Sequence, residues 1–261
     1  MNNSEIMEEK LKAFEELLNI MVELRDKCPW DRKQTMESLR PLTIEETFEL
    51  ADAVMKGDMG EVKKELGDLI MHITFYARIA EEQGLFSIKE VLNSVCEKLK
   101  YRHPHIYGDV VANTSDDVLQ NWEKLKLKEK GRSHKVLEGV PGSLPSLVKA
   151  LRLQEKAAGV GFDWGTKEEV WAKVHEEVAE FEKEVQDNDK EKMEAEFGDM
   201  LFSMVNMARK YGINPDNALE RTNLKFIRRF NYVEDNASKP LPEMTLQEMD
   251  ALWDEAKQRG N

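Results

Sequence analysis

Glu45, Glu46, Glu49, Glu65, Gly67 and Asp68 recur 131 residues further on as Glu176, Glu177, Glu180, Glu196, Gly198 and Asp199. The same shift carries Ala77-Arg78 onto Ala208-Arg209. A duplication that holds this register obliges the chain to build one architecture twice, and its long period excludes a solenoid of short repeats. Flanking segments follow with small slips. "PWD" at 29–31 faces "GFDW" at 161–164, and "KLKYR" at 98–102 faces "KFIRR" at 225–229 with a shift of 127. Between the copies lies "GRSHKVLEGVPGSLPSL", 131–147, whose three glycines and two prolines are the densest cluster of helix breakers in the chain. The expected organisation is an amino-terminal helical domain at 1–130, a linker or structured loop at 131–147, and a related carboxy-terminal domain at 148–261.

Inside each copy the hydrophobic period is that of an α-helix. "LKAFEELLNIMVEL" (11–24) places apolar residues three and four apart, as an amphipathic helix does. Thr43 with Glu46, Ser87 with Glu90, Thr166 with Glu169 and Thr245 with Glu248 fit the capping box, in which a hydroxyl and a carboxylate satisfy free amides at a helix start. Asn214-Pro215 reads as a cap followed by proline in the first turn, where the missing N–H is not needed. Pro104 is expected to end the helix that precedes it. No segment alternates apolar and polar residues between turn signals. The expected fold class is all-α, in two tandem related helical domains.

The formal net charge of −13 opposes a general nucleic-acid or anionic-membrane binder, since both need a cationic face. Cys28 and Cys96 have no paired spacing, which points to a reducing cytosol and not to a disulfide scaffold. The amino terminus lacks a basic segment followed by an apolar one, and no apolar run approaches the roughly 20 residues of a membrane span. The expectation is a cytoplasmic protein with neither nucleic acid nor membrane as partner. A chain this acidic can hold a phosphate only through something cationic.

The repeated acids supply a candidate. Residues three or four apart share a helix face, so Glu177 and Glu180 are neighbours, as are Glu196 and Asp199. Two such helices packed antiparallel aim four carboxylates at one point. Like charges that close repel, so the arrangement is unfavourable without a cation. An all-oxygen donor set suits Mg²⁺ or Mn²⁺ better than zinc. A solvated helix face is the bland account of a lone "EExxE". It does not explain why both motifs recur at constant spacing, nor why Asp199 stands in the apolar run "FGDMLFSMVNMA" (197–208), which reads as a buried helix. Other metal patterns fail on the letters. No histidine has a glutamate three residues before it, as a ferritin-like di-iron bundle needs. "DNDKEKMEAEFG" (187–198) lacks the sixth-position glycine and the twelfth-position acid of a calcium loop. His103 and His105 have no further ligands to complete a zinc site.

The order "EExxE", about sixteen residues, then "ExxD" resembles the MazG family of nucleoside triphosphate pyrophosphohydrolases. The likeness covers essentially the whole chain, with "CPWDRKQT" (28–35), "KLKYRHPHIYGD" (98–109), "NWEKLK" (121–126), "VGFDW" (160–164) and "KFIRRF" (225–230) as further matching segments. It implies an all-α fold shared with the all-α dUTPases, a homodimer of intertwined four-helix units, and Mg²⁺-dependent hydrolysis of NTPs to NMP and diphosphate, with Mn²⁺ able to substitute. Carried over by position, the metal ligands are Glu177, Glu180, Glu196 and Asp199. Glu176, Glu177 and Glu180 are then the catalytic acids, Glu176 orienting a ligand, a lysine or the attacking water. Lys173, Lys192, Lys225 and Arg229 resemble the positions that contact nucleotide.

Lys192 lies four residues before Glu196, on the same face, and Lys225 and Arg229 are likewise one turn apart. Trp253 either stacks on a base or anchors its helix. Lys126 is a further candidate in the connecting region. The amino-terminal copy keeps its metal set, Glu46, Glu49, Glu65 and Asp68, but has Glu61 where the other has Lys192. That reversal would repel phosphate, so turnover is expected in the carboxy-terminal half. The leading expectation is thus a broad-specificity nucleotide pyrophosphohydrolase that clears unwanted nucleotides. A narrow dUTPase-like pyrophosphatase and a non-catalytic helical interaction module are the alternatives.

Overall fold

The computed structural model describes residues 2–112, 114, 118, 125 and 135–260. Its described residues form ten α-helices and two short 3-10 turns, with no strand. The chain divides into two compact units, Met1–Thr114 and Ser115–Asn261. Among the described residues no helix is long and apolar enough to cross a membrane.

The first unit contains α1 (Asn3–Lys27), α2 (Met36–Lys56), α3 (Met59–Glu82), α4 (Ile88–Arg102) and the single turn α5 (Pro104–Tyr107). Helices α2 and α3 form its antiparallel centre, with α1 and α4 packed on α3. The core gathers Met21 from α1, Leu39 from α2, and Phe75 and Ile79 from α3, all nearly inaccessible. Helix α4 stops at Arg102 ahead of Pro104, whose fixed φ begins a new turn instead. Thr43 is not the helix start expected from its spacing to Glu46. Helix α2 begins eight residues earlier, capped by Thr35 reciprocally with Ser38. Thr43 is free for another task because it lies inside the helix. Its hydroxyl bonds Leu39 O at 3.0 Å and also meets His72 Nδ1 at 2.8 Å and Tyr76 Oη at 2.9 Å.

The second unit contains α6 (Ser146–Ala158), α7 (Lys167–Asp187), α8 (Lys190–Lys210), α9 (Pro215–Asp235) and α10 (Leu246–Gln258). Helices α7 and α8 are its antiparallel centre, and α6 and α10 flank through α8 and α9. The expected caps are present at Thr166, Asn214 and Thr245, as is Ser87 in the first unit. In the segment 131–147, residues 131–134 lie outside the described residues. The remainder is tied to α6 by Lys156 Nζ, which donates to Val136 O at 2.9 Å.

One two-residue turn sets the register of each central pair. In the second unit Asn188 takes the left-handed conformation at φ 53°, and Asp189 caps α8. Gly57 at φ 71° and Asp58 do the same in the first unit. The turn is short, so residues equally far from its pivot face each other at equal height along the two helices. Glu177 and Asp199 are each eleven residues from Asn188, Glu180 and Glu196 eight, and Glu184 and Lys192 four.

The loop before α7 is fixed by charge. Asp163 takes Arg209 and Lys210 of α8, the latter at 2.8 Å, and Asn206 steadies the same guanidinium at 2.7 Å. Burial would raise the Asp163 carboxyl, but its bonds to Arg209 and Lys210 outweigh that and hold it below the usual value. A depressed carboxylate contributes stability above its unfolded pKa and loses it as pH falls through the folded one. Asp163→Asn should therefore destabilise the protein at neutral pH by about 1–3 kcal/mol, the range for hydrogen bonds to charged groups. Urea unfolding of both proteins should show the difference shrinking once the medium is acidified below the ordinary Asp range.

Candidate metal centre

Where α7 and α8 face each other, Glu177, Glu196 and Asp199 bring one carboxylate oxygen each within 4.8 Å of the others. Glu177 is 5% exposed, Glu196 half-buried and Asp199 open to solvent. The cluster thus has one buried wall and one accessible side. Glu180, the fourth expected ligand, is exposed and lies outside this tight trio, yet its charge acts on Glu196. Loss of hydration, then the charges of Glu180, Asp199, Glu177 and Glu184, raise the Glu196 carboxyl above its usual value. Desolvation and like charge both disfavour the ionised carboxyl, and here they act in the same direction. An all-carboxylate set with an open face fits a hard divalent ion that keeps waters for exchange. The residues present therefore fit Mg²⁺ or Mn²⁺.

Lysines currently answer the charge. Lys173 Nζ lies 2.6 Å from Glu177 and 2.9 Å from Glu176. These bonds, Glu177 first, push its pKa up, so it stays an ammonium. Lys192, expected near the phosphates, is at the turn end of the acid row. Its ammonium is 3.1 Å from Asp189 and 3.8 Å from Glu184. Lys225 is exposed on α9. One turn on, Arg229 lies over the Trp253 ring at 5.7 Å, and Phe226 meets the same ring at 5.0 Å. Trp253 is thus the anchor between α9 and α10, one of its two expected uses. Lys126 lies outside the described residues.

The acid row opens into a cavity of about 650 Å³. Lys173, Glu177 and Asp199 form its charged end, and Leu153, Ala157, Phe162, Trp164 and Phe202 form apolar wall. Polar groups on the wall are few: Gln154, Ser203, Asn206, and the Asp163–Arg209 pair. Gln154 Nε2 donates to Phe202 O at 2.8 Å, which fixes the orientation of its amide. Sequence reasoning found the "GFDW" segment and Arg209 as repeated letters but assigned them no place. Glu184, a buried acid one turn beyond Glu180, was missed altogether. The only signal for it was the i, i+4 spacing.

One expectation is corrected. Helix α8 is not buried along "FGDMLFSMVNMA": Phe197, Leu201, Phe202 and Met204 are each about 40% exposed. Ser203, Val205 and Ala208 form its inward face instead. The apolar run is wider than α7 and α6 can cover within the chain.

The first unit also gathers three acids, but with the counterpart of Glu180 in the trio instead of that of Asp199. Glu46, Glu49 and Glu65 bring oxygens within 4.8 Å of one another. Asp68 lies outside that trio but adds, after burial, to the raised pKa of Glu46. Glu65 is 2% exposed, and Lys64 holds its Oε1 at 2.9 Å. At the positions of Lys173 and Lys192 this unit has Leu42 and Glu61.

Comparison with known proteins agrees with the duplicated site. The family described as the MazG nucleotide pyrophosphohydrolase domain matches residues 34–107 and again 165–234. The chain is 39% identical over 259 residues to the nucleoside triphosphate pyrophosphohydrolase of Escherichia coli K12, spanning 95% of this chain and 98% of that one. It is 40% identical over 257 residues to the nucleoside triphosphate pyrophosphohydrolase/pyrophosphatase MazG of Thermotoga maritima, spanning 96% and 98%. A Bacillus subtilis protein, YabN, is 45% identical over 262 residues, covering 97% of this chain and 54% of its own length. With the acid hairpin built twice and the family's domain matched at both copies, the chain belongs to the MazG nucleotide pyrophosphohydrolase family, in its tandem-domain form.

Proposed function

We propose that the second unit hydrolyses nucleoside triphosphates between the α- and β-phosphates, releasing nucleoside monophosphate and diphosphate. The observation that carries this reading is the convergence of Glu177, Glu196 and Asp199 at one end of a nucleoside-sized, largely apolar cavity. In this reading Glu177, Glu180, Glu196 and Asp199 hold Mg²⁺, or Mn²⁺ in its place. When bound, the ion neutralises phosphate charge and makes water a better nucleophile. The chain's own residues do the rest. Glu176, exposed beside the row, orients the attacking water and takes up its proton. Lys173, released from Glu176 and Glu177 once the acids have their ion, turns its ammonium to the phosphates. Lys192, Lys225 and Arg229 add positive charge from α8 and α9. Phe162 and Trp164 offer rings to the base, and stacking on rings tolerates several bases. Broad specificity and a role in clearing unwanted nucleotides follow from that tolerance.

Turnover belongs to the second unit in this reading, because the first has Leu42 and Glu61 where the second has Lys173 and Lys192, although it keeps Lys98 and Arg102 at the places of Lys225 and Arg229. We also assign the protein a homodimeric state. Phe197, Leu201, Phe202 and Met204 on α8, with Phe48, Leu66, Ile70 and Ile73 on α2 and α3, are large apolar side chains left open in the single chain.

Two measurements test the reading. Diphosphate release from a panel of NTPs should appear with Mg²⁺ and vanish in EDTA; a single active base would point to a narrow pyrophosphatase, and none at all to an interaction module. Steady-state kinetics of Glu180→Gln should show kcat/KM falling by a hundredfold or more, the scale expected when a transition-state charge stabiliser is lost. Glu49→Gln should leave turnover within about threefold of the parent on the same energy scale. Equal losses in the two variants would reject the assignment of turnover to the second unit.

A further inference from the structure

Glu184 has no counterpart in the first unit. It is 6% exposed, continues the row of Glu177 and Glu180 along α7, and its charge reaches Glu196. Lys183 Nζ approaches its Oε1 at 3.2 Å, whereas Oε2 is shut from solvent with no hydrogen-bond partner. Among the described residues, the cation paired with Oε2 is the Lys192 ammonium, 3.8 Å away across the hairpin. A buried carboxylate oxygen without a donor is costly, and it draws a cation inward. Both positions differ between the two copies. The first unit has Ala53, 4% exposed, at the place of Glu184, and Glu61 at the place of Lys192. Glutamates at both places would face each other as like charges. A lysine opposite alanine would have only the turn to pair with.

We propose that Glu184 is a positioning residue that holds the Lys192 ammonium over the acid row, where it meets the phosphates distal to the scissile bond. The proposal rests on the reading of the second unit as a triphosphate site. Two acids compete for Lys192. Asp189, the cap of α8, pulls it at 3.1 Å toward the solvent-facing turn, and Glu184 pulls it back toward Glu196. Without the Glu184 charge, Lys192 relaxes onto Asp189 and is lost to the substrate. Lys192's side chain is 65% exposed, and its long flexible stem leaves the ammonium able to follow either acid.

The test is a double-mutant cycle read by calorimetric binding of α,β-methylene-ATP, which cannot be cleaved at the α–β position, to the full chain in Mg²⁺. Glu184→Gln keeps the volume of the side chain and removes its charge. It should weaken binding by about fivefold, the scale of a largely exposed ion pair. In a Lys192→Gln background the same substitution should cause no further weakening. Glu184→Ala, which reproduces what the first unit tolerates at Ala53, should behave as Glu184→Gln does. In turnover, KM should rise for both while kcat changes less. Unchanged binding in Glu184→Gln overturns the proposal, and so does equal weakening in both backgrounds, which is what a packing role would give. Absence of any effect from Lys192→Gln also overturns it. If the parent protein itself fails to bind the analogue, the triphosphate reading falls, and the proposal falls with it.

Discussion

Three carboxylates with oxygens inside 4.8 Å of one another repel, and each unit contains such a set between its two central helices. The hairpin has to hold that repulsion in place. It does so with a two-residue turn, too short to let the helices slide, and with a core packed from flanking helices. Loss of hydration first, and then the neighbouring carboxylates, raise the pKa of Glu196 and of Glu46 in the first unit. Lysines offset part of the repulsion. Lys173 bonds the buried Glu177 in the second unit and Lys64 the buried Glu65 in the first.

The two units share the acids but differ in what stands around them. Lys173, Glu184 and Lys192 of the second unit correspond to Leu42, Ala53 and Glu61 of the first. Each change removes a group that would handle phosphate or direct one that does. The first unit also spends its central face differently: Thr43, His72 and Tyr76 form a buried polar network where the second unit has Val174, Ser203 and Met207. Desolvation lowers the His72 pKa, so the ring is held neutral among these hydroxyls.

Helix α8 serves two surfaces at once. Ser203 is buried on its inner side and Glu196 half-buried, while Phe197, Leu201 and Met204 are each about 40% exposed, Phe197 meeting the Phe181 ring at 5.7 Å. Burying those side chains would remove apolar area from water at about 25 cal/mol per Å². An uncovered face of this kind on the helix that carries the site would couple assembly to the geometry of the acids.

Much of this was legible from letters because a helix converts spacing directly into facing. The acid pairs, the caps at Ser87, Thr166, Asn214 and Thr245 and the stop before Pro104 all depend on contacts within about four residues, so local sequence decides them, and the duplication shows in the letters themselves. Thr43 misled because its spacing to Glu46 is equally good inside a helix already begun at Thr35. What lies across the hairpin could not be read the same way. The convergence of Glu177 with Asp199 followed only on the condition that the two helices pack antiparallel, whereas the partnership of Glu184 with Lys192 and the cavity walled by Gln154 and Phe202 join residues of different helices that no spacing announced. Those meetings depend on the turn at Asn188, which sets the register, and on how α6 and α9 pack against α8. Sequence alone determined that acids would be paired on helix faces; only tertiary packing decided which pairs meet, because side chains on separate helices meet only where the packing of those helices brings them together.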